Sequence, residues 1–185
     1  MQHYIRNNLH FQAITIQNMI KTEEEVFSKI IDFINKIGIQ IKFCTINDNT
    51  FLPGLRIEKG ILQIDKDKLS YIGDTLHEAG HIALMSAAQR ADLSGALEGQ
   101  NDPEATEMAV IAWTYAACLE IEIDPAIVFH PDGYKGGSQS ILENFGQGRY
   151  FGVPILQWYG MANNITYIHR NNTLSYPKMI SWIRS

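Results

Sequence analysis

The chain has 185 residues, 45% of them hydrophobic and 19% charged, with a formal net charge of −5 and a pI near 5.6. This size and composition suit one globular domain with a sizeable core and exclude a disordered chain. The acidic balance and lack of a basic patch argue against a nucleic-acid partner, and no run approaches the roughly 18 consecutive apolar residues of a membrane-spanning helix.

In chain order, the start, Met1-Gln2-His3-Tyr4-Ile5-Arg6, has no apolar signal core, so we expect a cytoplasmic protein. Cys44 and Cys118 sit among apolar residues and should remain free thiols. Thr22 and Glu25 form a capping box opening a helix that runs to about Lys36, with Val26, Ile30, Ile31, Phe33 and Ile34 as its apolar face and Gly38 as its stop. Ile39 to Cys44 alternates as a strand does. Leu55 to Asp65 reads as a hairpin turning at Lys59-Gly60.

Leu69 to Met85 then reads as a buried helix, capped by Asp74 or Ser70, and it contains His77-Glu78-Ala79-Gly80-His81. Residues four apart lie on one helical face, so His77 and His81 can place two imidazole nitrogens on one metal ion. Glu78 can reach a water on that ion. Zinc brings the pKa of such a water towards ~7, and a neighbouring carboxylate can take its proton. Two ligands and a base on one turn is an arrangement used in peptide-bond hydrolysis. Gly80, costly in mid-helix, implies a close neighbour.

A catalytic zinc usually has a third protein ligand. The next histidine is His130, so carboxylates on the helix beginning near Asn101 and ending near Leu119 are the candidates. Asp102 before Pro103 resembles a helix cap, and Glu104 suits the first-turn dipole. Glu107 enters a run apolar on almost every face (Met108 to Trp113), where a buried carboxylate needs a partner. Glu107 is therefore the expected third ligand, ahead of Glu104 and Asp102. Glu120 is expected to cap the helix or meet solvent.

The segment 86–101 reads as a long connection. The glycine-rich stretch Val128 to Ser138 contains His130 and Tyr134, either of which could donate to a tetrahedral intermediate; the alternative is a structural loop. Ser140 to Phe145 suggests a short helix, and the aromatic Tyr150 to Met161 suits core packing, a pocket lining or a dimer face. His3, His10 and His169 are isolated in the sequence.

The HExxH motif with Glu107 resembles the gluzincin arrangement of zinc metallopeptidases, and the 26-position offset (107 − 81) is similar to theirs. Asp102-Pro103-Glu104-Ala105-Thr106-Glu107-Met108-Ala109 also resembles the second motif of ImmA/IrrE-type peptidases, which aligned on its alanines would place Asp102 at the ligand position. Asp replaces that motif's Glu and Thr106 its Asn. The chain as a whole is similar to uncharacterised bacterial proteins of this size. The resemblance implies a zincin-like α+β fold, in which a small sheet backs the HExxH helix and its edge strand holds an extended substrate. It also implies Zn2+ as cofactor and a peptide or protein as substrate. The competing expectation is a metal-binding regulatory or protein-interaction module without peptidase activity.

Overall fold

A computed structural model describes residues 22–92, 103–163 and 175–185. Asp102, His3, His10 and His169 lie outside the described residues, as does most of the connection between the two helices expected to bear the metal. The architecture is α+β: helix α1 (residues 22–36), strands β1 (Ile41–Phe43), β2 (Leu55–Glu58) and β3 (Ile61–Ile64), then helices α2 (Ile72–Leu84), α3 (Ala87–Asp92), α4 (Pro103–Glu120), α5 (Ser138–Gly146) and α6 (Val153–Trp158). Short 3-10 turns lie at Pro125–Ile127 and Tyr134–Gly136. Among the described residues no helix is long and apolar enough to cross a membrane.

Helix α1 buries Ile30, Phe33 and Ile34, and the chain leaves it through Gly38 at φ 90°, a conformation glycine adopts without steric penalty. The sheet has the order β1-β3-β2, with β1 parallel and β2 antiparallel to β3. The hairpin turns on two residues, Lys59 and Gly60, both at positive φ, as a type I′ turn requires. Its register pairs Leu55 with Ile64 and Ile57 with Leu62, all four buried, while Arg56 turns outward to Asp48 at 2.8 Å.

Helix α2 rests on this hairpin and crosses α4 closely. Gly80 explains the approach: a Cβ there would sit 3.0 Å from both Trp113 and Val110 and 3.3 Å from Thr114 Oγ1. Val110, Trp113 and Thr114 are the α4 residues it meets, and all three are fully buried. The helix start corrects the expected capping. Tyr71 occupies the cap position and no side chain caps it; Asp74 lies in the first turn and is used elsewhere.

Two further contacts fix α4. Gly152, at φ 76°, brings the start of α6 onto it, where a Cβ would fall 2.0 Å from the Met108 carbonyl oxygen. The segment 175–185 then crosses both central helices. Tyr176 Oη donates to the Ala112 carbonyl at 2.8 Å, Trp113 Nε1 donates to the Trp182 carbonyl at 3.1 Å, and Arg184 N donates to the Ala83 carbonyl at 2.9 Å. Phe33, Trp113 and Trp182 meet edge-on or tilted at the centre, their ring centroids 4.9–6.0 Å apart. The aromatic stretch near α6 is divided: Val153, Leu156 and Met161 are core, whereas Trp158 is 79% exposed. Cys44 and Cys118 are both free, and Cys118 is buried.

Candidate metal centre

His77 and His81 lie one turn apart on the face of α2 that looks at α4, and Glu107 comes from the second turn of α4 to meet them. Their ligand atoms form a small triangle. His77 Nε2 is 3.1 Å from His81 Nε2, and the two nitrogens lie 3.4 Å from Glu107 Oε1 and Oε2 respectively. Ligands of tetrahedral zinc at bond lengths of 2.0–2.1 Å stand about 3.3 Å apart, so the two nitrogens are at such a spacing and the carboxylate faces them both, one oxygen to each. The donor set fits as well: two imidazole nitrogens and a carboxylate are groups that zinc takes, and His77 can keep its proton on Nδ1 against Tyr134 Oη.

The electrostatics keep the His77 ring uncharged. Burial pushes the His77 imidazolium down to about 4, with His81 adding to the effect and Glu107 opposing it. At neutral pH His77 is thus uncharged, the form a metal can take. Burial opposes ionisation of Glu107, but a hydrogen bond with His81 and the charges of His77, His81 and Lys135 hold its carboxyl below the usual range. The expectation that Glu107 is buried needs correction. Its side chain is 41% exposed, and Glu104 and Met108 on the same stretch of α4 also face solvent. Glu107 therefore stands at the mouth of the site, with His77 and His81 in its wall.

Glu78 follows His77 and is half-buried; its carboxylate and the two imidazoles each offer a ligand atom within 4.8 Å of one another. Burial lifts its carboxyl above the usual range, His81 opposes the shift, and Glu107 and Asp74 add to it. A carboxylate lifted in this way is a better proton acceptor.

The loop after α4 reaches α2 at three points. Gly73 has its backbone against this loop: a Cβ there would lie 2.3 Å from the Ile127 carbonyl oxygen. Tyr134 then puts its Oη 3.0 Å from His77 Nδ1, with its ring edge-on to the imidazole. With His77 Nε2 as ligand the proton sits on Nδ1 and is donated to Tyr134 Oη, which fixes the tautomer and the ring orientation. Burial raises the Tyr134 phenol well above its ordinary value, so it remains protonated. Tyr134 and Lys135 have φ of 54° and 53°, and Gly136 has φ 80°. Left-handed backbone costs an L-residue about 1–2 kcal/mol, so delivering the Tyr134 hydroxyl is paid for in strain.

The other contact corrects the expectation for His130. Its Nε2 is 3.1 Å from Asp74 Oδ1, its ring stacks on Tyr71 at 3.7 Å, and its Nδ1 is buried without a partner among the described residues. The Asp74 bond and the buried Nδ1 withhold both nitrogens from a substrate, so the geometry does not offer His130 as a donor to a tetrahedral intermediate. Tyr71 also donates to Asp132, and Ser138 Oγ donates to the His130 carbonyl at 2.6 Å. His130 thus pins the loop to the first turn of α2. Glu104 is exposed in the first turn of α4, as its dipole reading expects, and Glu120 pairs with Lys178 at 3.3 Å on the surface.

Asp74 and Lys135 are the residues of this neighbourhood that motif reasoning missed. Asp74 had a signal, since it lies three and four positions before His77 and Glu78 and so shares their helix face; Lys135 had none. His81 Nδ1 is buried and, among the described residues, has no hydrogen-bond partner, unlike His77 Nδ1. No protein-family model, curated protein or solved structure matches this chain, and the chemistry of the centre is argued from its own geometry.

Proposed function

We propose that the protein is a zinc-dependent hydrolase of peptide bonds with a zincin-like fold, making limited cuts in a protein or peptide. One observation carries the reading: the 3.1–3.4 Å triangle of His77, His81 and Glu107, with Glu78 beside it. His77, His81 and Glu107 would hold the ion. When bound, zinc supplies Lewis acidity, activating water and polarising the scissile carbonyl.

The remaining work falls to the chain itself. Glu78 accepts the proton of the attacking water and returns it to the leaving amine. Tyr134 takes the Nδ1–H of His77 and so holds Nε2 toward the ion; its hydroxyl lies on the far side of that ring, which makes Tyr134 a positioning residue and not the expected donor to the oxyanion. Asp74 and His130 hold the Tyr134 loop against α2. Glu107, half-exposed at the mouth, leaves the site open to an extended chain.

The test pairs elemental analysis with cleavage of a peptide library. Wild-type protein purified without chelator should carry about one zinc per chain and cut a subset of peptides. Glu78→Gln should retain the zinc and the fold while losing ~10²–10⁴-fold in turnover. Zinc uptake with no cleavage by wild type would leave a metal-binding module, and unchanged turnover in Glu78→Gln would exclude this mechanism.

A further inference from the structure

A cavity of about 290 Å3 lies where the turn after α1, the β2–β3 hairpin turn, α3 and the segment 175–185 meet. It holds roughly ten water-sized groups, which puts it at the small end of ligand pockets (about 300–1,000 Å3). Ile37, Ile39, Ile61, Ile82 and Ile183 give it an aliphatic wall. Ile39 and Ile82 belong to the core, whereas Ile37, Ile61 and Ile183 are only half-buried.

The charge of the lining is one-sided. Lys59 and Arg90 both line the cavity, and among the described residues no acidic side chain does, in a chain whose net charge is −5. Arg90 is fixed at both ends. Its backbone abuts the hairpin turn, where a Cβ on Gly60 would fall 2.5 Å from the Arg90 carbonyl oxygen. Its Nη1 donates to the Met85 carbonyl at 2.6 Å and to the Arg184 carbonyl at 2.8 Å. Among the described residues Nε and Nη2 have no partner, and no carboxylate pairs with the guanidinium. Burial lowers the Arg90 pKa from its ordinary value, and no acidic neighbour offsets the shift. A half-buried guanidinium with spare donors and no counter-charge gains hydrogen bonds from an anion.

We propose that this cavity binds a small aliphatic carboxylic acid, its carboxylate on Arg90 and its chain among the isoleucines. A planar guanidinium takes a carboxylate on two parallel N–H bonds, and one such group suits a single negative charge. Five isoleucines and no aromatic residue suit a flexible saturated chain. The volume limits that chain to roughly eight carbons. The site is separate from the His77, His81 and Glu107 triangle and stands whether or not the protein binds zinc. It still bears on α2, because Ile82 follows His81 and Arg90 holds the Met85 carbonyl at the end of that helix.

Titrating octanoate into the full chain with methyl-labelled isoleucine tests this by NMR. The methyl signals of the five lining isoleucines should shift and saturate, with a Kd of about 0.1–1 mM for a ligand of this size. At ten times that Kd the melting temperature should rise by about 3–6 °C. Octanol, with the same chain and no charge, should bind about 5–10-fold more weakly, and so should octanoate to Arg90→Gln. Ile61→Trp fills the cavity from its half-buried wall and leaves Arg90 in place; it should abolish binding of both probes. Melting without ligand shows whether each variant folds, and if Arg90→Gln does not, octanol and Ile61→Trp decide the matter. Shifts spread over isoleucines outside the cavity overturn the proposal. So does octanol bound as tightly as octanoate, or an Arg90→Gln protein of unchanged affinity. Acetate matching octanoate in affinity would reduce the site to a surface charge and overturn it as well.

Discussion

Replacing Glu107 by alanine tests the centre most directly. Partners one shell out from a metal-bound histidine are worth 10–100-fold in metal affinity. A carboxylate that completes the 3.4 Å edges to both histidines should be worth at least the upper figure, ~100-fold in Kd or about 2.7 kcal/mol. The loss should stop short of abolition. The Glu107 side chain is 41% exposed, so water can enter the vacated position and serve as a poorer ligand. His81, with its side chain 5% exposed, has no such access, and His81→Ala should reduce zinc binding below measurable levels. Competition against a chromophoric chelator at neutral pH gives the three constants, with Glu104→Ala as the control, since its carboxylate contributes only a first-turn dipole interaction of ~1 kcal/mol to stability. A Glu107→Ala protein that binds zinc within threefold of wild type would refute the triangle as a metal site, and a Glu104→Ala protein that loses zinc would reassign the third ligand.

Tyr134→Phe keeps the ring against Phe129 but removes the acceptor for His77 Nδ1, so zinc affinity should fall ~10–100-fold with the melting temperature little changed; equal affinity would show that the tautomer needs no such support. In metal-free protein His77 sits near pKa 4 when folded against 6.5 when unfolded, so the unfolded chain binds the extra proton between those values. Stability should therefore be complete above pH 6.5 and fall by about 3 kcal/mol as pH drops towards 4, a slope that urea titrations should find flattened in His77→Gln. Gly80→Ala would place a methyl 3.0 Å from Trp113 and Val110 in a packed interface, costing about 1–3 kcal/mol by thermal or denaturant unfolding; no loss would mean that α2 and α4 part easily.

What was legible in the sequence was local. The I′ turn at Lys59-Gly60, the stop at Gly38 and the need for a close neighbour at Gly80 each follow from one residue and its immediate chain. The four-residue spacing of His77 and His81 is likewise a property of one helix. What was not legible depends on residues distant in sequence. Asp74 reads as a cap because a carboxylate in a first turn serves equally well there; only the approach of Ile127 to Gly73 brings His130 to it, 56 positions away. Tyr134 meets His77 across 57 positions for the same reason. Glu107 appeared buried because the residues after it are apolar, but burial begins two residues later, at Ala109.

The segment 175–185 bears on how the centre is kept in tune. It takes hold of α2 at Ala83 and of α4 at Ala112 and Trp113, and those two helices supply the two sides of the triangle. The spacing between the histidines is set within α2, but the spacing from the histidines to Glu107 is set between helices, and this strap is one of the clamps that hold it. Removing the strap would leave the Trp113 indole N–H and the Ala112 carbonyl without their partners in the core. It would also free α4 to drift relative to α2. A drift of a few tenths of an ångström would spoil a tetrahedral edge before it unfolded anything, so shortening the chain from this end should show first as weakened metal affinity, with lowered thermal stability following.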